Sequence, residues 1–174
     1  PDLPPRTASS YIQRKKDSYR LYEGDKIRID AEQFDTAATQ AMQAPPDCKE
    51  KHNMLLSAET LYAGPFLQED RYEDWCRLKN DKFEKMFSQL LQAIADNFET
   101  ENDIENSIRY TRKRISHDPC DEAAFKQLIH LYSLIGDNLK LTRAYMDYQE
   151  MTEQMDLPVN PEIATFYKNR ISTQ

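Results

Sequence analysis

From Asp30 to the end of the chain, apolar residues recur at steps of three and four, and short breaks divide this pattern into segments. Such spacing places apolar side chains on one face of an α-helix and leaves the other face to water. Proline, glycine or short polar runs supply the breaks, because they end helices. The breaks lie at Pro45–Pro46, Gly64–Pro65, 100–103, Asp118–Pro119, Gly136 and Asn160–Pro161. We therefore predict an all-α body of about seven helices.

The same periodicity predicts which side of each helix faces the core. The fourth helix has a thin apolar stripe of Ile104, Ile108, Thr111 and Ile115, and the fifth begins at an Asp118 cap followed by Pro119. Other residues expected to point inward include Leu78 in the third helix, Ile135 in the fifth and Met155 in the sixth.

The later helices form two similar pairs, over 83–116 and 119–155. Comparable residues lie about 37–39 positions apart, as in Leu90 with Leu128 and Ile104 with Leu141. This distance is in the range of helical repeats, which stack because one pair alone cannot bury its apolar face. We therefore predict an α-solenoid, an architecture that offers an extended surface to partners.

The first 29 residues differ from the rest in charge and pattern. They carry a net charge of +3, whereas residues 30–174 carry −10. Between Tyr11 and Tyr22 the sequence predicts two short strands around a polar turn, with Arg14, Lys15 and Lys16 at the tip of the hairpin. Cations at such a tip contact nucleic-acid phosphates without reading sequence. The alternative is an ordinary solvated turn. The acidic body itself repels phosphate.

No motif for a cofactor, a metal or catalysis is found. The three glycines of the chain form no phosphate-binding loop. A zinc site needs three or four ligands, and the candidate pairs, Cys48 with His52 and His117 with Cys120, supply only two each. No cysteine has a base and an orienting group in a recognisable pattern, so we expect neither an enzyme nor a cofactor. The sequence shows no membrane span and no signal peptide. The three cysteines cannot all form disulfides with one another, which favours a reducing compartment, and we therefore expect the protein in the cytoplasm.

Two features indicate a surface for a partner. Arg109, Arg112, Lys113 and Arg114 form a basic cluster on one helix, and Tyr110, Tyr145 and Tyr148 present phenol groups that suit the wall of a groove. If the cluster lies on the concave side of the stacked helices, we expect it to receive an acidic segment of a partner. The alternatives are a solvated outer face for the cations and core packing for the tyrosines.

The segment between the second and third helices resembles a known family. Leu61–Leu67, followed by Tyr72–Trp75, is similar to the signature of the bacterial transcriptional activator domain, and the second repeat of that domain resembles the stretch from Asp118 to Gly136. The resemblance assigns structural roles to Tyr62, Gly64, Pro65, Phe66, Tyr72, Trp75, Pro119 and Gly136. It implies a tetratricopeptide-like domain of the kind found in Streptomyces antibiotic regulatory proteins and in some response regulators.

The residues before this body resemble the junction with a winged-helix DNA-binding domain, from Tyr19–Leu21 to Phe34. The resemblance implies a wing remnant over 1–29 and the activator domain over 30–174, within a longer regulator whose missing winged-helix part binds DNA. It also implies self-association, including a homodimer, or contact with an RNA polymerase subunit. The alternative is a sensory adaptor whose helical groove binds a peptide or small molecule and gates DNA binding.

Overall fold

A computed structural model describes residues 12–15, 18–21, 30–45, 48, 50–65 and 74–172 of the chain. In these ranges two antiparallel strands, β1 (Ile12–Lys15) and β2 (Ser18–Leu21), precede an all-helical body, and Ile12 pairs with Leu21. The predicted set of seven helices is confirmed. They are α1 (Asp30–Gln43), α2 (Lys51–Thr60), α3 (Asp74–Thr100), α4 (Ile104–His117), α5 (Glu122–Leu134), α6 (Asn138–Gln154) and α7 (Pro161–Ser172).

The helices pack in sequential pairs, α1 with α2, α3 with α4 and α5 with α6. Each pair also contacts the next, through α2 against α3, α4 against α5 and α6 against α7. Their buried side chains form two clusters, one from α1 to α4 and one from α5 to α7. The helix α4 lies between the clusters, because its Tyr110 belongs to the first while its Ile108 and Ile115 pack against the second. This succession of contacts is solenoid-like.

Buried positions of the two central pairs repeat at a spacing of 34 residues, the period of tetratricopeptide repeats. In the first helices of the pairs, the buried equivalents are Leu90 and Ala124, Leu91 and Phe125, Ile94 and Leu128, Ala95 and Ile129, and Phe98 and Tyr132. In the second helices they are Ser107 and Leu141, Tyr110 and Ala144, Thr111 and Tyr145, and Arg114 and Tyr148. The predicted offset of 37–39 residues was wrong. It came from aligning similar residue types, whereas the buried positions of the two pairs align at 34 residues.

The turn inside each pair repeats with the same spacing. Asn102 (φ 59°) and Gly136 (φ 70°) both adopt a left-handed backbone conformation. The N–H groups of Asp103 and Asp137 then donate to the carbonyls of Phe98 and Tyr132, over 2.8 and 3.1 Å. The side chains of the same two aspartates cap α4 and α6 by accepting from the third backbone N–H beyond them. Backbone geometry thus sets the repeat in both pairs.

Several residues expected in the core lie elsewhere. The helix α4 buries Ser107, Tyr110, Thr111 and Arg114, whereas the isoleucines of the predicted stripe are only half-buried. Leu78 is 77% exposed, because the buried stripe of α3 runs through Cys76, Asn80 and Phe83 on its other side. Ile135 and Met155 are about half exposed since each is the residue at which its helix ends. The cap of α5 is Asp121, three residues after the predicted Asp118.

Candidate partner-binding surfaces

Some of the predicted site residues cannot be placed. Arg14 and Lys15 belong to strand β1, but their side chains and the whole of Lys16 lie outside the described part of the chain. The same is true of Phe66 and Tyr72, and of the Trp75 side chain at the start of α3. The predicted phosphate contact therefore stays a prediction.

The three tyrosines predicted to line a groove are core residues. Tyr110 stacks on Phe98 with 5.5 Å between ring centroids, and Tyr145 stacks on Tyr167 at 4.1 Å. Tyr148 is completely buried. Burial raises the pKa of both Tyr145 and Tyr148, so these phenols are neutral. Their side chains stabilise the helix pairs and do not form an open wall.

The hydroxyl of Tyr148 connects α6 to both neighbouring helices. It donates to Glu122 Oε2 on α5 over 2.9 Å and accepts from the backbone N–H of Asn160, just before α7, also over 2.9 Å. The side-chain amide of Asn160 donates to the other oxygen of Glu122 over 2.7 Å. A closed polar network therefore holds α5, α6 and α7 together.

Arg114, the equivalent of Tyr148 in the preceding pair, is not part of a surface cluster. Its Nε lies 2.6 Å from Asp121 Oδ2, and its Nη2 donates to Oδ1 over 3.0 Å. Only 8% of the arginine side chain and 11% of the aspartate side chain are exposed. Asp121 also caps α5 by accepting from Ala124 N–H. This buried ion pair fixes the junction between α4 and α5.

The other cations of the predicted cluster lie on the exposed side of α4. Lys113 forms an ion pair with Glu59 of α2, and its ammonium lies 5.7 Å from the centre of the Phe87 ring. The guanidinium of Arg109 lies 5.0 Å from the ring centre of its neighbour Tyr110. Arg112 is exposed one turn away. The structure therefore leaves Arg109 and Arg112 as the exposed cations without a described ion pair in this cluster.

The signature residues that the structure describes lie in helix packing contacts and in turns. Tyr62 stacks on Phe87 with 3.8 Å between ring centroids, so it attaches the end of α2 to α3. Gly64 has φ 130°, and half-buried Pro65 follows it. Pro119 lies in the exposed turn before α5, and Gly136 supplies the left-handed residue of the next turn.

The first helices of the pairs, α3 and α5, lie side by side with α7, and side chains bridge between them. Gln127 of α5 donates to Asp96 and Glu99 of α3, and Lys126 of α5 forms an ion pair with Glu162 of α7 over 2.7 Å. We name this surface the α3–α5–α7 face. Sequence reasoning did not identify it, because its polar residues are ordinary solvent-facing types that become neighbours only when the helices lie side by side.

A groove of about 430 Å³ opens on the α3–α5–α7 face, between α5 and α7. Ile129 and Ile163 form its buried floor, and Phe166 is half-buried beside them. The Phe166 ring contacts His130 on one side, and the guanidinium of Arg170 lies 5.4 Å from its centre. The remaining lining residues are Ala123, Lys126, Gln127 and Glu162. The groove therefore combines an apolar floor with a polar rim, as ligand sites do.

A second cleft, of about 620 Å³, lies between α3 and the end of α4. All its lining residues are polar or charged, namely Asp81, Glu84, Lys85, Ser88, Gln89, Gln92, Arg114, His117 and Asp118. His117 Nε2 lies 3.3 Å from the carbonyl oxygen of Glu84, which fixes the ring against α3. Such a lining suits a small polar ligand and offers no apolar anchor.

Metal and membrane sites are not found in the described ranges. No group of three or more His, Cys, Asp or Glu side chains there is arranged to hold a metal ion. Among the helices described, none combines the length and apolar character needed to cross a bilayer. Cys48, Cys76 and Cys120 form no disulfide with one another.

Comparison with known proteins supplies one match. Residues 29–169 match the family model described as the bacterial transcriptional activator domain, which covers most of the chain and the helices from α1 through most of α7. None of the curated proteins compared with the chain matches it.

Proposed function

The chain belongs to the bacterial transcriptional activator domain family, and from this premise we propose that it is the protein-binding module of a DNA-binding regulator. The family is one of regulatory domains and not of enzymes, so its role is in transcriptional activation. In our proposal, the module associates with a second copy of itself or contacts an RNA polymerase subunit, in the cytoplasm. Such contact raises the local concentration of polymerase at a promoter.

The observation that carries this proposal is the open α3–α5–α7 face on a domain whose buried polar groups serve packing. Arg114 and Tyr148, at equivalent positions, bind neighbouring helices. The binding capacity of the domain therefore lies on its surface. On the exposed side of α4, Arg109 and Arg112 offer a second contact, suited to an acidic segment of the partner.

The DNA-binding part of the proposal rests on the N-terminal segment. We take residues 1–29 as the end of a winged-helix domain and residues 30–174 as the activator domain, as in Streptomyces antibiotic regulatory proteins and some response regulators. The strands β1 and β2 then form the wing. Arg14, Lys15 and Lys16 would contact DNA phosphates, positioning the protein without reading sequence.

Binding measurements on the 174-residue chain test the proposal. Light scattering coupled to size-exclusion chromatography reports self-association over a range of protein concentrations, and biolayer interferometry reports binding to bacterial RNA polymerase. The double variant Arg109→Glu/Arg112→Glu weakens a contact made through the exposed side of α4 by at least tenfold in Kd, and a contact that it leaves unchanged is assigned to the α3–α5–α7 face. Lys168→Glu, an exposed charge reversal on α7, serves as the matched control. A chain that remains monomeric and does not bind polymerase contradicts the proposal.

The polar cleft between α3 and α4 favours a second candidate function, that of a sensory adaptor. In this alternative the cleft binds a small polar effector and gates the DNA-binding half. A ligand that prefers the folded state raises the melting temperature with its concentration. A metabolite screen by thermal shift, repeated on Gln89→Ala, tests this candidate. The alternative fails if no compound raises the melting temperature, or if Gln89→Ala leaves every such rise unchanged.

A further inference from the structure

The apolar groove between α5 and α7 continues into a pair of carboxylates on α3. Gln127 Nε2 donates to Asp96 Oδ1 over 2.7 Å and lies 3.3 Å from Glu99 Oε2. Gln127 and His130 both line the groove as well, so the carboxylates lie directly beside its α5 side. The groove and the carboxylate pair are therefore parts of one continuous surface.

The two carboxylates are only partly compensated by what surrounds them. Gln127 is a neutral donor, and His130 Nε2 is 3.8 Å from Glu99 Oε1. Burial, followed by repulsion from Glu99, raises the pKa of Asp96 above its ordinary value, although Arg114 and the bond from Gln127 act against this. At the rim of the groove, Lys126 of α5 is already paired with Glu162 of α7. The α3 side of this surface is therefore negative, whereas on the α7 side the Arg170 guanidinium lies over the Phe166 ring.

A basic group on a partner complements this arrangement. The two carboxylate oxygens converge on a single nitrogen atom, and a guanidinium presents several N–H groups in one plane, which lets it bond to both. The floor of Ile129, Ile163 and Phe166 accepts a large apolar side chain. The hydrophobic contact supplies affinity, and the charge pair selects basic partners over acidic ones.

We propose that the groove and the Asp96–Glu99 pair form a binding site for a peptide segment of a partner protein. The segment carries one large apolar side chain, which occupies the groove, and an arginine or lysine close to it, which binds the carboxylates. The proposal names the site and the partner chemistry within the proposed function, and it rests on that function in taking the partner to be a protein.

A random peptide library tests this site without knowledge of the natural partner. Twelve-residue peptides displayed on phage are selected on the immobilised 174-residue chain, and Kd values are measured by fluorescence polarisation. We expect the enriched peptides to share an apolar residue near an arginine or lysine. Failure to enrich any peptide, or enrichment of acidic peptides, overturns the proposal.

Two variants separate the two halves of the site. Ala123→Trp fills the groove from its exposed rim, and Asp96→Asn/Glu99→Gln removes both charges without changing side-chain shape. Each weakens the selected peptides by at least tenfold, and the second also flattens the salt dependence of Kd. Glu105→Gln/Glu150→Gln, which neutralises two exposed carboxylates on α4 and α6, leaves Kd unchanged. Melting temperatures confirm that each variant folds, and equal peptide binding by all variants overturns the site.

The outcome for the site and the outcome for the proposed function are distinguishable. If self-association or polymerase binding persists in both groove variants and no peptide is selected, the groove proposal fails while the proposed function stands. If selected peptides bind the groove but the chain neither self-associates nor binds polymerase, the proposed function fails and the peptide site remains.

Discussion

The two central helix pairs share one pattern of burial but differ in chemistry at the junction that follows each pair. At the end of α4, the guanidinium of Arg114 forms a buried ion pair with the Asp121 cap of α5. At the equivalent position in α6, the neutral hydroxyl of Tyr148 binds Glu122 and the backbone of Asn160. One register position therefore carries a charge in the first pair and a neutral phenol in the second.

This difference teaches which parts of the repeat are fixed by geometry. The left-handed turn residues and the capping aspartates recur with the 34-residue period, because backbone geometry demands them. At the junctions, by contrast, the buried polar groups differ. An ion pair lies at the first junction and a hydrogen-bonded phenol at the second. They should respond differently when a single partner is removed, since an unpaired buried charge costs more than an unpaired neutral group.

The largest expected effect follows from removing the charge at the first junction. Arg114→Met keeps a long apolar side chain but leaves the Asp121 carboxylate without its ion-pair partner in a nearly buried position. We expect the free energy of unfolding to fall by roughly 3 kcal/mol, the cost typical of breaking a buried ion pair. Urea denaturation followed by circular dichroism measures it.

The matched controls for this prediction act on the aspartate. Asp121→Asn retains an N-cap for α5 while removing the negative charge. In the double variant Arg114→Met/Asp121→Asn no unpaired charge remains, so we expect it to be more stable than Arg114→Met alone. A double variant with the full sum of the two single losses would show that the ion pair contributes no coupling.

The equivalent change at the second junction has a smaller effect. Tyr148→Phe removes the hydroxyl that bonds to Glu122 and to the N–H of Asn160, while Asn160 Nδ2 still donates to Glu122. We expect a loss of about 1–2 kcal/mol in the free energy of unfolding, since the groups left behind are partly satisfied. Tyr145→Phe, in a core tyrosine outside this network, is the control and changes stability little. A loss as large as that of Arg114→Met would remove the contrast between the junctions.

The turns within the pairs allow a third comparison. Gly136 has φ 70°, and no atom lies within 4 Å of the position that a Cβ would occupy. Gly136→Ala therefore costs backbone strain alone, which we expect to be about 1 kcal/mol. Gly136→Asn copies the residue found at the equivalent Asn102 and should cost less than alanine, because asparagine tolerates this conformation. Thermal unfolding of the three proteins measures the order, and equal losses for Asn and Ala would contradict it.

Much of the fold was predictable from the sequence because the signals that start, end and orient its helices are local. Proline and glycine mark the helix ends, and apolar residues at three- and four-residue steps mark most of the inward faces. Phe34, Ala38 and Ala41 in α1, and Leu128 and Tyr132 in α5, are all buried as the periodicity indicates. Such signals act within one or two turns of helix, so no knowledge of the neighbouring helices is needed.

The rest depends on contacts between helices, which local patterns do not encode. Arg114 was predicted to belong to an exposed basic cluster, and Ser107 is a polar residue outside the predicted apolar stripe. The helix α4 lies between two clusters and buries both of them. Tyr110, Tyr145 and Tyr148 were predicted to line a groove because of their residue type. Contacts with neighbouring helices place them in the core instead. The α3–α5–α7 face was missed for the same reason, because Asp96 and Gln127 become neighbours only when α3 and α5 lie side by side.

The smallest expected effect concerns Asp103 and Asp137, which cap α4 and α6, and it is measured as a function of pH and salt. Hydrogen bonds from Asn106, first from its side chain, lower the pKa of Asp103, and bonds from Lys140, again first from its side chain, lower that of Asp137. A carboxyl whose pKa is lowered by folding stabilises the protein at neutral pH. That contribution begins to disappear as the pH falls below the ordinary value of 3.8 and is lost through the lower folded-state pKa.

Asp103→Asn and Asp137→Asn should therefore lower the melting temperature slightly at pH 7 and leave it nearly equal to that of the parent at pH 2. Within the part of the chain that the structure describes, Lys140 lies at ion-pair distance from Asp137, at 2.9 Å, whereas Arg109 and His52 act on Asp103 without forming an ion pair. Added salt should therefore shrink the difference at pH 7 more for Asp137→Asn than for Asp103→Asn. An equal response to salt at both positions would mean that the two caps are electrostatically alike, in contrast to the junctions.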